Sequence, residues 1–593
     1  MVQSPAHGGM VNASDPDLPE IAEPDCPEEP GTDRVQTQAG PGGMGGSGTR
    51  GAAVAGRLKN LRSDRRWMLP AGFVVAGILL FIAYLFQARV LASSSNGAGQ
   101  ALQAWNILHG NLLLRGWSLS DVSFYTTELP EYALVEAVTR LNGDTVHIAA
   151  ALTYTLLVLL AGVLAKGRAT GREGIVRLLV AVGIMLAPQL RFGTYLMLSG
   201  PDHIGTQVPL VLIWLVLDRA RPQRWVPVVV AALLTWALIA DMIVLVEGVL
   251  PLVVVCAVRM YRRRGRLAGQ IYDLSLIGGA LVSVGVAELT LKAIQAAGGF
   301  FVSTPVVGFA TSSYMTAGFW LKVQSVLDTF GADFFSQPFG LVALIAVLHL
   351  VSVVLIIWAL TLVIRQFASH DDPLMQMLAV AFVALLAAYL FGIKPDGNEI
   401  VGLLPIGAVL AGRLLAGRIV SRGLLPAMVA AGICFAMVLG YNTVQPNQQV
   451  NQNETIATWL QAHHLRYGLA AYWQANAVTV DSGGRVEVRP VRMYGQQLVT
   501  TGFEVNSTWY DANRHDATFV VWAPRSLCQD TCVTRAVLRK LFGRPAHSYH
   551  VGWLRVLVWR HENLLRSVQT LTWCGNLWPW DALSPPSATP CKP

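Results

Sequence analysis

Charged residues are scarce in this chain. They make up only 13% of its 593 residues, whereas hydrophobic residues make up 53%. A soluble globular domain carries about 25% charged residues. The apolar residues are gathered into runs of roughly twenty, the length that crosses a hydrocarbon core of about 30 Å. These proportions exclude an ordinary soluble protein and predict a polytopic membrane protein.

Motifs of soluble nucleotide and metal chemistry are also missing. The chain has no Gly-rich phosphate loop, no HExxH and no Cys/His cluster with metal-ligand spacing. Its formal net charge of +8 does not indicate a nucleic-acid partner. Most of the Lys and Arg residues lie in short loops between apolar runs, where membrane orientation requires them. We therefore expect the lipid bilayer as a partner and no nucleic acid.

Eleven apolar runs predict an all-α bundle of about eleven transmembrane helices within residues 67–441, with a long first outer loop at 92–145. Residues 1–66 are acidic and Pro-rich, then Gly-rich, which predicts a disordered cytoplasmic tail. The eleven runs lie at 69–91, 146–165, 175–190, 204–217, 225–239, 243–258, 274–294, 341–364, 374–391, 400–415 and 424–439.

Basic loops predict the orientation of the bundle. "RLKNLRSDRR" precedes the first run, and "KGRATGR" and "RMYRRRGR" separate later ones. If all eleven runs cross the membrane, these loops fall on one side, which is then cytoplasmic. We therefore expect a multi-pass membrane protein with a cytoplasmic N-terminus and an extracytoplasmic C-terminus.

Residues 442–593 predict a small extracytoplasmic α/β or α+β domain, here named the outer domain. "IATWLQAHHL" has the pattern of an amphipathic helix, and "AVTVDSGGRVEVRPV" that of two strands around a Ser-Gly-Gly turn. "DATFVVWA" and "HVGWLRVLVWR" predict further strands.

Four of the seven cysteines lie in the outer domain, as expected for an oxidising compartment. We expect structural disulfides between Cys528 and Cys532 and between Cys574 and Cys591. Four cysteines permit three connectivities, so the spacing alone does not decide between them.

Acidic and unusual polar residues gather on the predicted outer face. Asp121 and Glu128 lie in the first outer loop, between two amphipathic stretches that predict helices in the membrane interface. Asp202 and His203 lie side by side in the turn "LMLSGPDHIGTQVP". Charged side chains near a bilayer are costly and often mark a site. The alternatives are a loop that only packs over the bundle and an Asp202 that caps a helix.

The topology resembles the GT-C class of integral-membrane glycosyltransferases, which includes protein O-mannosyltransferases and aminoarabinose transferases, and multi-pass actinobacterial proteins of this type. The stretches "LQAWNILHGNLLLRGW" and "YGLAAYWQANAVTVDSGGRVEV" carry the motif-level similarity. The resemblance implies an enzyme that moves a sugar from a polyprenyl-phosphate donor to a glycan, lipid or protein acceptor in the cell envelope.

The resemblance also implies catalytic residues. Members of the class usually carry an acid just after the first span, as a catalytic base or a metal ligand. This chain has Asn96 there, and an amide cannot act as a base at neutral pH. We therefore expect Glu128 or Asp121 to do this work, with Asp202 in the second outer loop also in acid–base or metal chemistry.

Cations are expected at the donor phosphate, because the leaving group is anionic. Arg191 is the preferred residue, and His203 and Lys322 are further candidates. A divalent cation is the one cofactor that the resemblance suggests, and the sequence does not define its ligands.

Two other functions remain open from the sequence. Asn96 favours a non-catalytic GT-C-like protein that binds or scaffolds. A transporter or flippase is the other alternative, although the halves of the chain show no convincing internal repeat of the kind common in transporters. The sequence does not identify the sugar or the acceptor.

Overall fold

Each of the eleven predicted apolar runs forms a helix in the computed structural model. The structure describes residues 71–188, 192–262, 267–302, 308–335, 337–367, 369–370, 372–392, 397–444, 451–524, 532–560 and 562–569. The predicted disordered tail, residues 1–66, lies outside these ranges. Seven of the described helices are long and apolar enough to cross a membrane. The total of about eleven spans therefore stays a prediction.

The described helices are numbered in chain order. They are α1 (Ala71–Ala88), α2 (Ser95–Leu108), α3 (Glu128–Thr139), α4 (Asp144–Lys166), α5 (Gly171–Met185), α6 (Phe192–Leu198), α7 (Asp202–Arg219), α8 (Trp225–Ala240), α9 (Leu250–Arg262), α10 (Leu267–Ala296), α11 (Ser312–Thr329), α12 (Leu341–Arg365), α13 (Pro373–Phe391), α14 (Leu403–Ser421), α15 (Leu425–Val444), α16 (Gln452–Ala462), α17 (Tyr472–Asp481) and α18 (Arg535–Phe542). A single π-helical turn, Leu245–Val249, leads into α9.

The helix α14 lies at the centre of the bundle. In its most apolar stretch 89% of the residues are buried within the protein, against 17% in α15. It packs against α4, α5, α12 and α13. Arg413 of α14 is buried, and its guanidinium forms ion pairs with Asp218 at 2.8 Å and with Asp372 at 3.0 Å. The charge is therefore compensated inside the bundle, as a buried cation requires.

The first outer loop contains the two predicted helices, α2 and α3. The hydroxyl of Ser94 caps α2 by accepting a hydrogen bond from the Gly97 backbone N–H at 2.9 Å. The helix α2 packs against α3 on one side and against α17 of the outer domain on another. Nine of its first ten residues are buried, so other parts of the protein cover this end of α2.

The outer domain is built on a mixed seven-stranded sheet, which confirms the predicted combination of a helical bundle with a small domain that contains strands. The strand order is β7-β8-β6-β2-β3-β4-β9. The described strands of the chain are β1 (Trp117–Ser118), β2 (Tyr467–Ala470), β3 (Glu487–Tyr494), β4 (Gln497–Thr500), β5 (Val505–Asn506), β6 (Phe519–Trp522), β7 (His547–Val551), β8 (Leu554–Val558) and β9 (Val568–Gln569).

One predicted strand of the outer domain is wrong. The first half of "AVTVDSGGRVEVRPV" belongs to the helix α17, and only the second half forms a strand, β3. The reason is the parallel pairing of β2 with β3, because parallel neighbours need a crossover connection, usually a helix. Gly483 and Gly484 follow the helix with φ of +66° and +74°, which ends α17 and turns the chain into β3.

The outer domain is joined to the first outer loop by backbone and side-chain contacts. The strand β1 pairs antiparallel with β5. The Ser118 hydroxyl donates to the Gly502 carbonyl oxygen at 2.8 Å. The Trp117 and Trp509 rings pack edge to face with centroids 4.9 Å apart. The described residues from Ala76 onward accordingly form one compact unit.

The disulfide pairings stay predictions. Cys532 is disulfide-bonded, and no disulfide has both of its cysteines among the described residues. Cys528, Cys574 and Cys591 lie outside the described ranges.

The Trp117→Ala substitution should loosen the contact between the first outer loop and the outer domain. Removing a buried aromatic side chain costs about 3–5 kcal/mol. Hydrogen–deuterium exchange of the segment that contains Ser507, whose N–H donates to the Gly116 carbonyl oxygen at 2.8 Å, should accelerate. The matched control is Trp553→Ala, because Trp553 is 57% exposed. Unchanged exchange in Trp117→Ala would contradict this account of the interface.

Candidate functional site

Four residues predicted from separate segments meet at one place. Asp121 precedes α3, Glu128 is the first residue of α3, and Asp202 and His203 begin α7. The charges of Asp202 and His203 act on Asp121, and that of His203 acts on Glu128. The charge of Asp241 also acts on Asp121, and those of Asp202 and Asp121 act on Glu504. We name these residues the acid cluster: Asp121, Glu128, Asp202, His203, Asp241 and Glu504.

A hydrogen-bond network joins α7 to the end of α8 and the start of α3. His203 Nδ1 lies 2.7 Å from Asp241 Oδ2. The Thr206 hydroxyl lies 3.2 Å from the same Asp241 oxygen and 3.5 Å from Glu128 Oε1. Residues 203 and 206 are three apart on a helix and therefore share one face. This face of α7 holds Glu128 and Asp241 together.

Glu128 is completely buried, with 0% of its surface exposed. Thr127 donates a hydrogen bond to its Oε2, and its carboxyl group packs directly against Gly205 of α7. Burial raises the pKa of Glu128 well above its usual value, which favours the protonated form of the carboxyl. The protonated form cannot accept a proton from a substrate, so burial does not favour the predicted role of Glu128 as a general base.

Asp202 is more accessible, and its backbone is strained. It is the first residue of α7 with φ of +35°, and the N-cap position is occupied by Pro201. A non-glycine residue rarely adopts this conformation, and such strain is often found at functional sites. The carboxylate accepts a hydrogen bond from Gln100 Nε2 at 3.1 Å, so its environment goes beyond the helix-capping alternative.

Asp121 has a perturbed carboxyl group. Burial raises the pKa of Asp121 to about 6, the charge of His203 opposes the rise, and the charges of Asp241 and Asp202 add to it. Asp121 is therefore mostly ionised at neutral pH and titrates close to the physiological range. This behaviour is typical of groups that take part in acid–base chemistry.

Sequence reasoning did not select Asp241, Gln100 or Glu504 as site residues. Asp241 directly follows α8, where an ordinary turn aspartate is common, yet it is only 2% exposed. Gln100 lies in an amphipathic helix, and Glu504 is more than 300 residues from Asp202 in the sequence. Only the tertiary packing brings these side chains to the site, and no local pattern signals it.

Two of the predicted phosphate-binding residues, Lys322 and His203, lie on different helices. Lys322 lies on α11 and donates from Nζ to the Leu390 carbonyl oxygen at the end of α13, at 2.7 Å. Arg191 lies outside the described residues. His203 is surrounded by Asp241 and Asp202, which neutralise its charge and make it a poor phosphate ligand. Among the described residues, no three His, Cys, Asp or Glu side chains are arranged to hold a metal ion.

Comparison with solved structures identifies the fold. The chain is similar to ArnT from Cupriavidus metallidurans in the apo state, with a TM-score of 0.52 and 12% sequence identity over 84% of this chain and 98% of that chain. This similarity confirms the GT-C-like fold. No protein-family model and no curated protein matches the chain.

Weaker similarities to solved structures include the following two. One is to ArnT from Cupriavidus metallidurans bound to undecaprenyl phosphate, with a TM-score of 0.49 and 12% identity over 83% of this chain and 97% of that chain. The other is to an Archaeoglobus fulgidus oligosaccharyltransferase in the apo form, with a TM-score of 0.41 and 11% identity over 76% of this chain and 69% of that chain.

The Gly205→Ala substitution should destabilise the protein. A helical Gly→Ala change normally gains about 1 kcal/mol in helix propensity. Here the new methyl group overlaps the Glu128 carboxyl, and overpacking costs about 1–3 kcal/mol. Tm in detergent should fall. The control is Gly278→Ala on α10, where no atom lies within 4 Å of the new methyl group and Tm should stay or rise. A rise in Tm for Gly205→Ala would mean that Glu128 does not occupy this position.

Proposed function

We propose that this protein is a membrane glycosyltransferase of a bacterial cell envelope. It transfers a sugar from a polyprenyl-phosphate donor to a hydroxyl group of a glycan, lipid or protein acceptor outside the cell. The observation that carries the proposal is the convergence of Asp121, Asp202 and His203, from two outer loops, on one cluster within a GT-C-like fold.

The acid–base step is assigned to Asp202. Its carboxylate is oriented by Gln100 and is partly accessible to solvent. It takes the proton of the acceptor hydroxyl as that oxygen bonds to the anomeric carbon of the sugar. The bond between the anomeric carbon and the phosphate oxygen breaks, and the polyprenyl phosphate leaves with the electron pair. Ionised Asp121 stabilises the positive charge that develops on the sugar ring.

Glu128 supports this step by positioning other residues. It is buried and neutral, and it fixes α3 against α7 through its contact with Gly205 and Thr206. The position of Asp202 at the start of α7 therefore depends on Glu128. We assign Glu128 a positioning role and no proton transfer.

The donor phosphate is proposed to lie away from the acid cluster, because carboxylates repel it. The helix α11 carries Lys322 and packs against α6. Lys322 supports the proposal that the phosphate binds near these two helices, and Arg191 stays a ligand predicted from the sequence. No step of the reaction is assigned to a metal, because the described acids do not converge on one ion.

A non-catalytic GT-C-like binding protein is the second candidate. Asn96 after the first span and the complete burial of Glu128 favour it. Such a protein would bind the donor saturably but would not turn it over. A transporter or flippase would instead move the donor across the bilayer without cleaving it.

The Asp202→Asn substitution should reduce sugar transfer by about 10²–10⁴-fold, because it removes the general base. The assay uses purified protein in lipid with radiolabelled polyprenyl-phosphate sugars. Glu128→Gln should retain most of the activity, because the amide keeps the size and neutrality of the protonated carboxyl. Asp144→Asn is the control, since Asp144 is half-exposed and pairs with Arg89 at 2.6 Å. The assignment fails if Glu128→Gln is inactive while Asp202→Asn is active.

The pH dependence should report on Asp121. Its pKa is raised to about 6, so the ionised form is present above this pH and is lost as the pH falls through it. Transfer by the wild type should therefore decline below about pH 6. In Asp121→Asn the rate should be lower throughout and the decline near pH 6 should be absent. A wild-type profile that stays flat across this range would contradict the role of Asp121.

A further inference from the structure

Glu504 is an acid that the outer domain inserts into the first outer loop. It lies between β4 and β5, only 2% exposed, with φ of +48°. Its carboxyl group packs directly on Gly99 of α2, where any side chain on residue 99 would overlap it. A buried, strained glutamate at this contact is costly to maintain, which indicates a function beyond filling space.

Hydrogen bonds through Tyr472 connect Glu504 to the first outer loop. The Tyr472 hydroxyl lies 2.7 Å from Glu504 Oε2 and 2.7 Å from Asn96 Oδ1. A phenol hydroxyl donates only one hydrogen. Tyr472 donates to Glu504, and the Asn96 amide, which carries both a donor and an acceptor, completes the contact with Tyr472. Tyr472 therefore links Glu504 to the start of α2.

Burial favours the neutral form of Glu504. Burial raises the pKa of Glu504 well above its usual value, the hydrogen bond from Tyr472 opposes the rise, and the charges of Asp202 and Asp121 add to it. An ionised Glu504 would add a negative charge to those of Asp202 and Asp121.

Gln100 links this contact to the proposed base. It follows Gly99 on α2 and donates from Nε2 to Asp202 Oδ1 at 3.1 Å. Gln100 is 1% exposed, and its Oε1 has no hydrogen-bond partner among the described residues. A buried amide oxygen without a partner costs free energy unless a ligand satisfies it. A hydroxyl group that binds between Gln100 Oε1 and Asp202 would do so.

We propose that Glu504 is a positioning residue through which the outer domain completes the site. It holds α2 in place, so that Gln100 orients Asp202 toward a hydroxyl group of the acceptor. The unpaired Oε1 of Gln100 then accepts a hydrogen bond from that hydroxyl group. This inference rests on the proposed transferase function. It makes the outer domain a part of the acceptor site, and it defines that part of the acceptor as a group that donates a hydrogen bond.

The test compares Glu504→Gln and Glu504→Ala in the full chain reconstituted in lipid, by measuring transfer against acceptor concentration and pH. Glu504→Gln keeps the size of the side chain and a hydrogen bond to Tyr472, so it should change the acceptor KM less than Glu504→Ala does, and it should lose the alkaline decline that ionisation of Glu504 causes in the wild type. Glu504→Ala should raise KM for the acceptor by roughly tenfold, the effect of one lost hydrogen bond, with a smaller change in kcat.

Glu136→Gln is the matched control. Glu136 on α3 is another buried carboxyl whose pKa is raised, to about 9, by burial, and no charge of the acid cluster acts on it. Its substitution should leave the acceptor KM and the pH profile unchanged. The proposal would be overturned if both Glu504→Gln and Glu504→Ala kept the wild-type pH profile and acceptor KM. It would also be overturned if Glu504→Gln were folded but inactive, because the carboxyl itself would then be catalytic.

Infrared difference spectroscopy separates this inference from the proposed function. The absorption of protonated carboxyl groups at neutral pH should decrease in Glu504→Gln whether or not the protein transfers sugar. If the wild type is inactive but this decrease is seen, the proposed function fails while the neutral Glu504 is supported. If no decrease is seen, Glu504 is ionised and the positioning role is overturned.

Discussion

The contact between Glu128 and Gly205 is the interaction on which the rest of the site depends. The first residue of α3 fits its carboxyl group into the space that a glycine leaves on α7, and Thr206 adds a hydrogen bond. This contact fixes the first outer loop against the start of α7, where the charges of Asp202 and His203 act on Asp121.

The outer domain, like the helical bundle, contributes a side chain to the site. It contacts α2 through α17 and pairs β5 with β1, and it contributes Glu504 to the acid cluster. Three of the six described non-glycine residues with positive φ, Phe124, Asp202 and Glu504, lie at or beside this cluster. Strain of this kind persists only where the surrounding packing enforces it.

Much of the fold could be predicted from local patterns, because apolar length and amphipathic period are properties of short segments. The eleven apolar helices and the two outer-loop helices α2 and α3 are of this kind. The helix α17 was predicted as a strand, since its apolar residues fit both periods and only the parallel pairing of β2 with β3 decides between them. Asp121, Asp202 and His203 could be selected from the sequence, because a charged side chain beside a bilayer costs free energy. Glu504 and Asp241 enter the site only through long-range packing.

The central claim is that this GT-C-like protein transfers a sugar, and one measurement tests it most directly. Purified wild-type protein in lipid is given a panel of radiolabelled polyprenyl-phosphate sugars, and both release of the polyprenyl phosphate and label on an acceptor are followed. The account predicts release of the carrier coupled to glycosylation for at least one donor. Saturable donor binding without release of the carrier, for every sugar tested, would contradict it and identify a non-catalytic binding protein.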